Sequence, residues 1–285
     1  MVIEALYSAN RLDWLKRISE ISQKDYSSVD RLLLSFGILP SRCLRPWHIV
    51  SIASLVEKLN RDMVTVALNM MEPCGRYLKN DVQLPEYWKG HQDYAKATNR
   101  TLLNLWRVKP EQIEDHAVRI TDYLKNSFFK NKDLSAVSLS LLEAYYNIID
   151  HSDSKGNAYS MLSFDESTEV LNVAVCDFGI GIAGSVRNFD SSIKSDVDAV
   201  IKATQEKFTV GSRSHNAGLG LSNIRSVCTE KDNLWIISNS AAVGLTNSTL
   251  KAFELDFNFP GTLLSYNISL SHFEDEENVS NEYNW

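Results

Sequence analysis

No run in this 285-residue sequence is apolar for long enough to cross a bilayer, which takes about 20 residues of helix. The first residues lack the basic-then-apolar layout of a secretion signal. Cysteine is scarce. The four, Cys43, Cys74, Cys176 and Cys228, are widely spaced and contain no C-x-x-C pair. They read as buried free thiols of a reducing cytosol, so the expected location is cytoplasmic. Positive charge is in deficit: the net charge of −7 gives no reason to expect a nucleic-acid surface beyond a local basic patch. What remains, 44% apolar and 23% charged residues, is ordinary globular usage with room for one large or two modest domains.

Local patterns place the elements. The run 32-LLLSF-36 reads as a short buried strand. Apolar residues at Ile49, Ile52, Ala53, Val56 and Leu59 give 46–60 a helical period, and 63–69 is rich in β-branched residues. Strand, helix and strand in that order predict a small parallel α/β layer. The polar segment 79–111, with Pro85, Gly90 and Pro110, is expected to hold a domain junction. The expected division is therefore 1–111, 112–271 and an acidic, disordered tail at 272–285. In the second part, helices are expected at 112–128, from about Leu134 with Asp133 as N-cap, and near 195–204. Strands are expected at 157–164 and 169–176 as a hairpin, then at 234–240, 251–257 and 262–270. A glycine-containing loop, 207–221, is expected to open a helix reaching about Cys228.

The stretch 141-LLEAYYNIIDHS-152 carries the first chemical question. It is apolar nearly all round, which implies burial, yet Glu143, Asn147, Asp150 and His151 fall along one line. Buried polar groups need partners. Taken alone, Glu143 and Asn147 form a satisfied buried pair, and Asp150 and His151 a solvated helix end. In 177-DFGIGIAG-184, the glycines match G-x-G-x-x-G, but no second parallel strand with a terminal acid follows, which argues against a dinucleotide fold.

Four motifs occur in order: Glu143-x3-Asn147, Asp177-x-Gly179-x-Gly181, Gly218-x-Gly220 and Gly261-Thr262. Over roughly 112–271 the sequence resembles the gyrase, heat-shock chaperone, histidine kinase and MutL-type ATPases. The resemblance implies a two-layer α/β sandwich of the Bergerat type, a mixed sheet with helices on one face. It implies ATP and Mg2+ as ligands. Asn147 would coordinate the metal, which takes oxygen ligands and keeps several waters. Glu143 would orient or deprotonate the attacking nucleophile. Asp150 and His151 would hold metal-bound water or phosphate. Asp177 would accept the adenine amino group and reject guanine, which offers an acceptor there. Gly179 and Gly181 would let the backbone approach base and ribose. The loop 208–221 would be a mobile lid. Gly218, Leu219, Gly220 and Leu221 would turn helix-start amides to the phosphates, with Ser212 or Arg213 reaching the γ-phosphate. Arg213 reads equally well as an exposed loop arginine. Thr262 would support Asp177 through water, or be a strand-edge threonine.

Within that superfamily, no histidine stands in a phosphoacceptor context; His116 is nearest and lacks the following proline. Only the acidic tail follows Leu270, where the gyrase and MutL types add a transducer. The form 143-EAYYNIIDH-151 resembles the anti-sigma-factor serine kinases. These phosphorylate a small partner of the sulfate-transporter and anti-sigma-antagonist (STAS) fold. Residues 32–69 vaguely resemble that same antagonist fold. Two readings follow: a slow ATPase or protein-serine/threonine kinase with Glu143 as base, or a nucleotide-gated interaction module without turnover. The expected partner is a protein, such as a STAS-like one, with homodimerisation also open and no membrane involved. Residues 1–111 would either select that partner or serve as a scaffold.

Overall fold

The computed structural model describes residues 1–37, 44–70, 72–85, 101–152, 156–205, 221–229, 231–246 and 248–275. The chain opens with β1 (Val2–Leu6), α1 (Arg11–Gln23), β2 (Leu32–Phe36), α2 (Pro46–Arg61) and β3 (Val66–Met70). The strands pair in parallel in the order β1-β2-β3, so each helix is a crossover. Asn10 starts α1 by accepting from the Leu12 and Asp13 amides at 2.9 and 3.2 Å. Pro46 starts α2, where its missing N–H costs nothing. The strand–helix–strand unit expected at 32–69 is present as β2-α2-β3. The pair β1 and α1 extends it beyond what the pattern suggested.

The second sheet holds β4 (Leu102–Arg107), β5 (Ala158–Asp165), β6 (Val170–Asp177), β7 (Leu234–Leu245) and β8 (Leu250–Ser269), in the order β4-β5-β6-β8-β7. All four pairings are antiparallel, which corrects the expected mixed sheet. Its strands are joined by hairpins, or by excursions that return to pair antiparallel. β4 falls within the segment 79–111 expected to be a junction, so the sheet begins before residue 112. β8 is one strand where two were expected. Pro260 and Gly261 sit at a register shift between Ser238/Thr262 and Asn239/Phe259. A bulge there absorbs the missing proline donor and the Gly261 φ of +125°.

Among the described residues, five helices cover one face: α3 (Ile113–Ser127), α4 (Ser135–Ser152), α5 (Gly181–Phe189), α6 (Asp196–Ala203) and α7 (Ser222–Val227). Leu171, Val173 and Val175 of β6 point into this layer and share a core with Leu141, Tyr145 and Ile148 of α4. Alternation sends Ala174 and Cys176 to the opposite face. There they meet α1 and α2, so helices cover both faces of the sheet rather than the single face expected. The order of layers is three-stranded sheet, α1/α2, five-stranded sheet, α3–α7.

Helix α2 is buried on almost every side between the two sheets. Its serines are satisfied: Ser51 accepts from Trp14 Nε1 at 3.0 Å and donates to His48 O at 2.9 Å. Asn157 donates to Ser54 O at 3.2 Å, binding the helix to the start of β5. Glu57 accepts from Arg107 on β4 at 2.9 Å and from the Tyr159 hydroxyl on β5 at 3.2 Å.

Candidate functional site

Asp177 ends β6 between Ala158 of β5 and Thr262 of β8, and is fully buried. It follows Leu171, Val173 and Val175 in alternation, so it faces the α3–α7 layer. The Thr262 amide donates to Asp177 Oδ2 at 3.1 Å. Oδ1 has no well-aligned hydrogen bond among the described residues, although the Gly179 amide acts on the carboxylate. Burial raises the carboxyl's pKa well above the ordinary range, while the Thr262 and Gly179 amides pull it the other way. The backbone crowds this corner. A Cβ on Gly261 would stand 2.3 Å from Asp177 O and 2.9 Å from Asp177 Oδ1. Only glycine, at φ +125°, fits.

Helix α5 springs from the glycines. Gly181 has φ +76°, and a Cβ there would meet Asn239 Oδ1 and Ser238 Oγ at 2.6 Å. Thr262 Oγ1 accepts from the Ile182 amide at 2.9 Å, and Ser238 Oγ accepts from the Ala183 amide at 3.3 Å. The two hydroxyls are joined, Thr262 donating to Ser238 at 3.1 Å. Thr262 therefore has two jobs: its amide holds Asp177 and its hydroxyl caps α5. Ser238 and Asn239 carry no motif in the sequence. The only signal was the polar break 238-SNS-240 in an apolar strand.

Glu143 and Asn147 lie in α4, which packs on α3, α5, α7 and the sheet. Glu143 is buried, and its Oε2 accepts from the Asn223 amide at 2.9 Å. That amide belongs to the first turn of α7, the helix that follows the glycine loop. Asn147 is half-buried and its Nδ2 donates to Glu143 O at 2.8 Å. Among the described residues this leaves Oδ1 as the end of the amide without a hydrogen bond. Asp150 is half-buried one turn further on. Leu221, just before α7, is buried in the helical layer. Ser212, Arg213, Gly218, Leu219 and Gly220, the body of the expected lid, lie outside the described residues, as do the His151 side chain and 276–285 of the tail.

The structure thus places Asp177, Gly181, Gly261 and Thr262 in one corner, and Glu143 with Asn147 on the helix beside α5. Antiparallel pairing of β6 on both sides rules out a dinucleotide-binding βαβ unit at these glycines. Among the described residues no group of three or more His, Cys, Asp or Glu side chains could hold a metal. A metal here would rest on the Asn147 amide oxygen and on its own ligand's oxygens. No described helix is long and apolar enough to cross a membrane. Comparison with protein-family models and with curated proteins gives no match to this chain.

Proposed function

We propose that the chain binds Mg·ATP in the layer formed by the end of β6 and helices α4, α5 and α7. The reading goes further: a slow ATPase, or a serine/threonine kinase acting on a small STAS-like protein in the cytoplasm. One observation carries it. Asp177 Oδ1 is a buried acceptor with no well-aligned donor among the described residues, the Gly179 amide being near it, in a corner where Gly261 keeps the backbone close. An exocyclic amino group supplies the missing donor, and a charge-assisted hydrogen bond of this kind contributes about 1.5–3 kcal/mol. Asn147 Oδ1 suits Mg2+, which prefers oxygen and would bridge the amide to phosphate oxygens. Glu143, a buried carboxylate one turn earlier, suits the role of base toward water or a hydroxyl.

A second reading is a nucleotide-gated module with no turnover. It is favoured by the Glu143–Asn223 hydrogen bond, which ties the would-be base to the start of α7. In that reading Glu143 senses the helix after the glycine loop rather than the nucleophile.

Calorimetry with ATP and GTP, each with and without Mg2+, tests the binding claim. ATP is expected to bind and GTP not, with Asn147→Ala removing only the Mg2+-dependent part. Equal affinity for the two nucleotides would sink the role of Asp177. Radiolabelled γ-phosphate separates the two readings. The enzyme releases or transfers it, and Glu143→Ala slows that by about 10²–10⁴-fold while still binding; the module leaves it on ATP.

A further inference from the structure

On the face that α1 and α2 cover, the five-stranded sheet outruns its cover. Cys176, Ala174 and Asn172 follow one another along that face of β6, paired with Leu263, Ser265 and Asn267 of β8. Cys176 and Leu263 lie in the apolar core around α2. Two pairs further on, the residues are amides. There a cavity of about 450 Å³ opens beside the first turn of α2, within the ~300–1,000 Å³ common for small-molecule sites. Trp47 and Trp235 wall it. Asn172 contributes to its floor and is half-buried, with its side-chain amide unengaged by any other described residue.

The cavity's cations explain its chemistry. The Arg11 guanidinium is held between the two indoles, its Cζ 5.4 Å from the Trp47 ring and 5.5 Å from the Trp235 ring. Such contacts fix the guanidinium's position but use none of its five N–H donors. No carboxylate or carbonyl accepts from it among the described residues. Burial alone lowers its pKa to about 10, which leaves it charged near neutrality. A half-buried cation without an acceptor is unfavourable until an anion arrives. Arg45 lines the same cavity from the N-cap position of α2, where the helix end adds positive potential. Asp165 is the one carboxylate among the described lining residues, and it is engaged by its own turn, accepting from the Ser167 amide and hydroxyl at 2.9 and 2.6 Å.

The geometry points to a binding site for a small organic oxyanion, its carboxylate or phosphate on Arg11 and Arg45 and its polar body on the Asn172 amide. The site is independent of the nucleotide reading, because Glu143 and Asn147 lie across the sheet. Citrate and inorganic phosphate, titrated separately into the full chain, test it. Indole N–H signals are followed by NMR, with that of Trp235 assigned from Trp235→Phe. A saturable shift of that signal is expected, and the probe that saturates first names the headgroup. Arg11→Gln should weaken binding at least about tenfold through loss of a charge-assisted contact. Asn172→Asp keeps Arg11 and both indoles while adding negative charge to the floor, and should weaken it similarly. It carries the test alone if Arg11→Gln does not fold. No Trp235 shift with either probe, or unchanged affinity in the variants, overturns the site. Neither probe contains adenine, so failure here and failure of Mg·ATP binding are seen separately.

Discussion

Asp177 sets two demands against each other at the scale of one residue. Its burial raises the carboxyl's pKa, so the folded chain holds a proton that the unfolded chain gives up near the ordinary value of about 3.9. Its contribution to stability is therefore complete below that value and is lost as pH rises from there through the folded pKa. Asp177→Asn removes the titration while keeping the shape. Its unfolding midpoint in urea should exceed that of the unmodified chain increasingly as pH rises above about 4. Parallel curves for the two chains would show that the carboxyl titrates alike in both states. The same substitution should erase adenine selection, so one change would raise stability and lower function.

Helix α5 shows what an element owes to distant residues. Its first amides are held by Thr262 and Ser238, which lie 80 and 55 positions away from Ile182 and Ala183. Thr262→Val should cost about 1–2 kcal/mol in the absence of any nucleotide, as loss of a helix cap does, and Thr262→Ser should restore most of it. If thermal unfolding of the empty chain is unmoved by the valine, the threonine hydroxyl is not a cap. This dependence also explains why α5 was not legible in the sequence, where 177-DFGIGIAG-184 shows glycines and no local helix signal. Elements with local signals were read within a few residues: α6 after its N-cap Ser195, the hairpin β5-β6, and α2 from its 3.6-residue period. Strand direction was not legible, because whether β6 runs parallel or antiparallel to β8 is settled by how distant segments return. In the candidate site, Glu143 is legible as a polar residue in an apolar helix, whereas Asp177 and Thr262 are marked only by the glycines beside them and the order of the motifs. Ser238 is not legible, since a serine in a strand gives no sign of which helix it caps.

At the scale of the whole molecule, residues 1–70 are the second cover of the central sheet. Without them Met161, Ile237, Phe259 and Leu263 would face water. At about 1.5–3 kcal/mol each, their exposure forfeits roughly 6–12 kcal/mol, comparable to the full stability of a typical domain. A chain starting at residue 101 should therefore aggregate or lose fixed tertiary structure, seen as early elution on gel filtration and loss of near-ultraviolet dichroism. A monodisperse, fully structured fragment would show that the cover is dispensable. Helix α2, enclosed by sheets on both sides, also imposes a timetable on synthesis. β3 ends at Met70 and β6, which packs on α2 together with β5, at Asp177, about 110 residues later. At ~5–20 residues per second, the side of α2 destined for the larger sheet stays uncovered for on the order of 5–20 s on the ribosome. For that interval the nascent chain offers its most adhesive surface to neighbouring copies on the same messenger, so the spacing of ribosomes bears on how much of it folds.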